Sequence, residues 1–200
     1  MKRIIIIAII LLTFLLVQGK TVQEWLDSAL KAETNSVKEA ITIMEKAEAE
    51  YPQDPDILSM YGLMLSKRAG EVSFLKAPGY ASRAEKEHDK ALEIAPNHKN
   101  ARLWRGILKV NMPKFLGKLE SGLEDLTNIS RRVDLQAEEI MVINFYLGMG
   151  YQKADNKQVA IDAYHIILRY GADAPFYPES LVELMKLTGL TESELLENKD

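Results

Sequence analysis

The 200-residue chain is 47% hydrophobic and 27% charged, enough apolar material to build the core of one domain. Its net charge of −4 argues against nucleic acid, or an anionic membrane surface, as the main partner. There is no cysteine, which excludes disulfides, thiolate metal sites and a lipid-bearing cysteine.

The first residues read MKRIIIIAIILLTFLLVQG, where Lys2 and Arg3 precede an apolar run from Ile4 to Val17 broken only by Thr13. At helical rise that run reaches about 21 Å, short of the roughly 30 Å of a hydrocarbon layer. The pattern predicts a secretory signal over residues 1–19, cut after Gly19; an uncleaved anchor is the alternative reading. Without it the body carries 29 acidic against 23 basic residues, a net −6.

The body then reads as amphipathic helices in pairs. VQEWLDSAL, anchored by Trp25 and Leu26, comes first. AITIMEKAEAEYP sets Ala40, Met44 and Ala47 on one stripe, with Pro52 just beyond it. In YPQDPDILSMYGLML, Asp54 is placed to cap a helix, Pro55 to open it, and Tyr61-Gly62 lies midway. EVSFLKAPGYAS, from Glu71 to Ser82, interrupts the pattern: too apolar for a plain loop, too broken for a helix. AEKEHDKALEIAP restores the stripe at the same offsets with Ala84, His88, Ala91 and Pro96. ARLWRGILK follows with Gly106, NMPKFLGKLESG interrupts again, and GLEDLTNIS supplies Gly122, Leu126 and Ile129. FYLGMGYQK carries Leu147, Gly148 and Tyr151; AIDAYHIILRYGA carries Ala160, Tyr164 and Ile167. The tail predicts a helix from about Glu179, a stop at Gly189 and a short helix capped by Thr191 with Glu194.

Leu147-Gly148-x-x-Tyr151, then Ala160, then Tyr164 resembles the tetratricopeptide repeat, and the likeness runs from about Ser36 to Ala172. It implies an all-α fold: a right-handed superhelix of about three to four helical hairpins with a C-terminal capping helix. The implied layout is a repeat domain over 20–176, with enlarged turns inside two hairpins at 70–82 and 111–121, and capping helices over 177–200. The enlargement follows from spacing. Tyr151 to Ala160 is nine residues, whereas the equivalent Leu65 to Ala84 is nineteen.

Two sets of candidate binding residues follow. Turns of this kind share one edge of the array, so the two insertions should touch there with Phe74, Leu75, Tyr80, Met112, Phe115 and Leu116. Either these fold back into a satellite core or part of them stays open as a docking patch. The resemblance also implies a groove lined by the first helix of each hairpin. Its main positions here are Leu63 and Lys67, then Leu103, Ile107 and Asn111, then Phe145, Met149 and Lys153. The alternative is that the apolar ones simply pack between units.

No catalytic constellation stands out. Glu85-x-x-His88 is an isolated pair, there is no nucleophile turn or phosphate-binding glycine loop, and RAEKEHDK reads as a solvated charged face. The expectation is a non-enzymatic envelope adaptor or assembly factor without a cofactor or metal. Its partner is a protein or peptide and not nucleic acid, and it touches a membrane only if the N-terminal segment is kept. The alternative is a ligand-binding accessory protein of an envelope transport system.

Overall fold

The computed structural model describes residues 19–197, and among these every regular element is a helix. The expected signal over residues 1–19 falls, Gly19 apart, outside the described residues. Four hairpins follow one another: α1 (Val22–Glu33) with α2 (Val37–Glu50), α3 (Pro55–Glu71) with α4 (Ala77–Ile94), α5 (Lys99–Asn111) with α6 (Leu119–Ser130), and α7 (Ala137–Lys153) with α8 (Lys157–Leu168). α9 (Tyr177–Thr188) packs on α8, and α10 (Glu192–Glu197) packs on α9.

Local chemistry sets the boundaries. The Asp54 carboxylate accepts from the Asp56 and Ile57 amides, both at 3.0 Å, with Pro55 in the first turn of α3. The Thr21 amide donates to Glu24 at 2.7 Å and the Thr191 amide to Glu194 at 2.8 Å, two reciprocal caps that open α1 and α10. Gly189, at φ 77°, turns the chain out of α9.

The two interrupting stretches behave differently from each other. Only residues 72–76 lie between α3 and α4, so much of the stretch expected as an enlarged turn over 70–82 is helical. Pro78 and Gly79 did not stop α4 because Pro sits in its first turn, where a missing N–H leaves no bond unmade. The second stretch keeps its irregular character. A 3-10 turn, Lys114–Leu116, ends on Gly117 at φ 68° before α6 begins.

Within the last three hairpins, a glycine on the first helix receives a large side chain from the second. A Cβ on Gly62 would lie 2.6 Å from the His88 ring, one on Gly106 2.9 Å from Leu126, and one on Gly148 2.6 Å from Tyr164. These three contacts give the stack a common internal geometry. Between hairpins, α1 touches α3, α3 touches α5 and α5 touches α7, while no comparable contact joins the second helices. The first helices therefore line the inner side of the curved array.

Candidate binding surface

That inner side breaks open at its last step. By position α9 is the next first helix, yet it makes no contact with α7 comparable to the earlier ones. In the gap is an open cleft of about 700 Å³ lined by Phe145, Met149, Gln152 and Lys153 of α7, Tyr164 of α8, and Pro178, Glu179, Val182 and Glu183 of α9. An aromatic group shapes one side of it. Phe145 stacks on Phe176 at 4.6 Å between centroids, and meets Tyr146 and Tyr164 edge-on at 5.5 and 6.2 Å. Phe176 holds that pose from a left-handed backbone at φ 64°, just before α9.

The polar groups of the cleft are few and ordered. Gln152 bridges its walls, accepting from the Tyr164 hydroxyl at 3.2 Å and donating to Glu183 at 3.0 Å. Burial, and then the Glu183 charge, raise the Tyr164 phenol above its ordinary range. Hydrogen bonds from Lys186 and Gln152 hold the Glu183 carboxyl below its own. The Lys153 ammonium is half-buried and donates to the Val110 carbonyl at 2.6 Å. Burial lowers its pKa, and no carboxylate among the described residues forms an ion pair with it. Lys153 is thus a cation held at the cleft wall by a neutral acceptor.

The groove residues expected from sequence divide. Phe145, Met149 and Lys153 line the cleft together. Leu103 is buried in the core shared by α5 to α8, where Ile107 also packs, so at these two positions packing between units prevails. Leu63 packs half-buried on the first core, and Lys67 pairs with Glu33. The Asn111 amide donates to the Ile107 carbonyl at 3.0 Å. The turn residues also divide. Tyr80 and Met112 pack on the same first core, while Phe74 (81% exposed), Leu75 (77%), Phe115 (86%) and Leu116 (50%) stand out in solvent.

Two features escaped the sequence. The α9 half of the cleft did, although α9 carries two apolar faces: Leu181 and Leu184 go inward, while Val182 and Met185 stay exposed. That doubled face was the available signal. RAEKEHDK, expected to be a solvated face, instead docks on the next hairpin. Asp89 pairs with Arg105 at 2.7 Å and Glu85 with Lys118 at 2.8 Å, while Arg105 also grips the buried Asp125 through two bonds of 2.7 and 2.8 Å. Its acids Glu85 and Asp89 meet Arg105, Lys109 and Lys118 of the next hairpin, while its bases Arg83 and Lys90 reach back to Glu45 and Glu48 of α2, all far off in sequence.

No family model matches the sequence, and no curated protein does. Among solved structures, the chain is similar to a human IFIT1 dimer with PPP-AAAA, with a TM-score of 0.67 over 84% of this chain at 18% identity. It spans 39% of that longer chain. TTC0263, a thermophilic TPR protein of Thermus thermophilus, aligns over 84% of this chain and 99% of its own at 18% identity, with a TM-score of 0.47. The stacked hairpins, their glycine interlocks and the likeness to IFIT1 make this fold an all-α helical-repeat superhelix of the tetratricopeptide kind.

Proposed function

We propose that this protein is a non-enzymatic adaptor or assembly factor of the cell envelope, exported by its N-terminal segment, that binds a peptide segment of another protein. The observation that carries the reading is the open cleft where α9 parts from α7. It combines an apolar floor at Phe145, Met149 and Val182 with one unpaired cation, Lys153, on the inner side of the array. An open apolar trough with a few fixed polar groups suits an extended or helical segment anchored by alternating apolar side chains. A photo-reactive residue at Val182 should capture that partner in the native envelope, with little capture from Lys46, an exposed position on α2. A peptide from the captured protein should then bind the purified chain, at least tenfold more weakly to Met149→Asp. Equal capture from Lys46, or binding indifferent to Met149→Asp, sinks the reading.

The volume favours one further occupant. About 700 Å³ lies within the roughly 300–1,000 Å³ usual for small-ligand sites. In this second reading the chain is a ligand-binding accessory of an envelope transport system. Native mass spectrometry of the purified protein decides it by a retained small molecule that Met149→Asp releases.

A further inference from the structure

Two turns of this fold do something its other turns do not. Each sets a large aromatic and a large aliphatic side chain side by side into solvent: Phe74-Leu75 between α3 and α4, and Phe115-Leu116 between α5 and α6. Other exposed apolar residues, such as Leu30, Ile94 and Val133, come one at a time, as on any soluble surface. The bases of the two turns share a mount, because Tyr80 behind the first and Met112 before the second pack on one core. The tips therefore project from the same part of the array.

The charge around the tips is as selective as the exposure. The chain has 29 acidic residues, yet none falls between Val72 and Ala84, or between Ile94 and Leu119. Lys76 follows the first tip, and Lys114 and Lys118 bracket the second. Lys114 holds Asp155 at 3.0 Å, but both side chains are largely exposed, a pairing readily exchanged for another anion. Lys118 holds Glu85 at 2.8 Å and is itself exposed by two fifths.

We propose that these two tips form a bidentate wedge that enters the interfacial layer of a phospholipid bilayer, with Lys76, Lys114 and Lys118 meeting anionic headgroups. Phe and Leu beside Lys is the chemistry of interfacial insertion: rings and aliphatic chains reach the acyl boundary while ammonium groups stay among phosphates. Shape favours a bilayer over a protein. The tips are two separate convex projections, so a protein would need two pockets at a fixed spacing, whereas a fluid interface accepts both. The net acidity of the body then orients the molecule, presenting the two tips, whose own segments carry lysines and no acid. Lys114 exchanges the exposed Asp155 for a headgroup phosphate.

The test uses the full chain and reads each tip separately, against a reference label that reports any approach to the vesicle brought about by the apolar run near the N-terminus alone. The chain has no cysteine, so Phe74→Cys, Phe115→Cys and, as reference, Lys46→Cys each accept a single nitroxide label. With vesicles of phosphatidylcholine and phosphatidylglycerol, labels at 74 and 115 should become several-fold more accessible to oxygen than to a water-soluble nickel reagent. The label at 46 should not change. Phosphatidylcholine alone should give a weaker shift, and Leu75→Ser with Leu116→Ser should reduce immersion at least threefold while the circular dichroism spectrum is kept. The proposal is overturned if both tip labels stay aqueous with either vesicle. It is equally overturned if they are shielded only by envelope protein and not by lipid.

Discussion

His88 takes the place against Gly62 that Tyr164 takes against Gly148, but it brings two ring nitrogens into a site with no partner for either. The imidazole is fully buried. Burial first, and then the positive charges of Arg105, His98 and Lys109, push its pKa down to about 3. In the unfolded chain the same ring takes a proton near the ordinary value of about 6.5. Between those values the unfolded state binds the extra proton, so stability falls as pH drops through this window, by about 1.4 kcal/mol per pH unit. Above about pH 6.5 the ring is neutral in both states and adds no slope. His88→Phe keeps the ring and removes the titration, so its urea midpoint should change less between about pH 6 and pH 4 than that of the natural chain. If the two profiles run parallel, His88 is not the acid-sensitive group. A buried histidine in a slot filled elsewhere by Tyr or Leu was visible in the sequence as an oddity of the stripe. Its lack of partners was not, since that depends on which side chains of the next hairpin reach it.

The second, third and fourth hairpins are each held at a distance set by a glycine. A methyl on Gly148 would meet the Tyr164 ring at 2.6 to 2.9 Å, so Gly148→Ala must push α7 and α8 apart or turn Tyr164 out. The expected loss is about 1–3 kcal/mol in chemical unfolding. Gly70, in the last turn of α3, has nothing within 4 Å of such a methyl, so Gly70→Ala should instead stabilise by about 0.5–1 kcal/mol. Equal effects from the two substitutions would mean that helix propensity, and not the interlock, decides. These pairings were legible beforehand because small–large–small spacing at offsets of four and seven survives in the second helices even where the turns have grown. The first stretch was misjudged for a specific reason. Pro78 and Gly79 read as breakers, but at the start of α4 proline costs nothing, and the helix grew back through them. The cleft was half legible. Phe145, Met149 and Lys153 lie on a face the repeat pattern implies, whereas Val182 lines it only because the array opens after α7. No local pattern encodes that opening, which is a relation between helices far apart in the chain.

In a linear array, stability is a sum of hairpin terms and of the interfaces between neighbours, so the weakest joint decides whether the chain unfolds as one body. Ion pairs cross every joint between hairpins, among them Arg83 to Glu45, Lys90 to Glu48 and Lys99 to Glu139. The joint between the second and third hairpins differs in how little apolar packing accompanies them. Its apolar part is a small cluster of Leu58, Ala91, Leu92 and Ala101, helped by Leu108 reaching into the first core. The His98 ring meets Asp56 at 3.0 Å, and the rest is ionic: Asp89 to Arg105 at 2.7 Å, Glu85 to Lys118 at 2.8 Å and Glu85 to Lys109 at 3.9 Å. Ion pairs that are half-exposed contribute a few tenths to about 1 kcal/mol each, more as water is excluded. Glu85→Gln with Asp89→Asn removes these links without touching Asp125, which keeps Arg105 inside its own hairpin. The double variant should therefore lose about 1–2 kcal/mol of coupling while both flanking cores stay intact. The chain reports on its own halves, since Trp25 packs in the first core and Trp104 packs on the second. With Trp25→Phe or Trp104→Phe leaving one reporter each, the two urea midpoints should coincide in the natural background and separate in the double variant. Midpoints that stay together would place the cooperativity of the array in its apolar contacts alone.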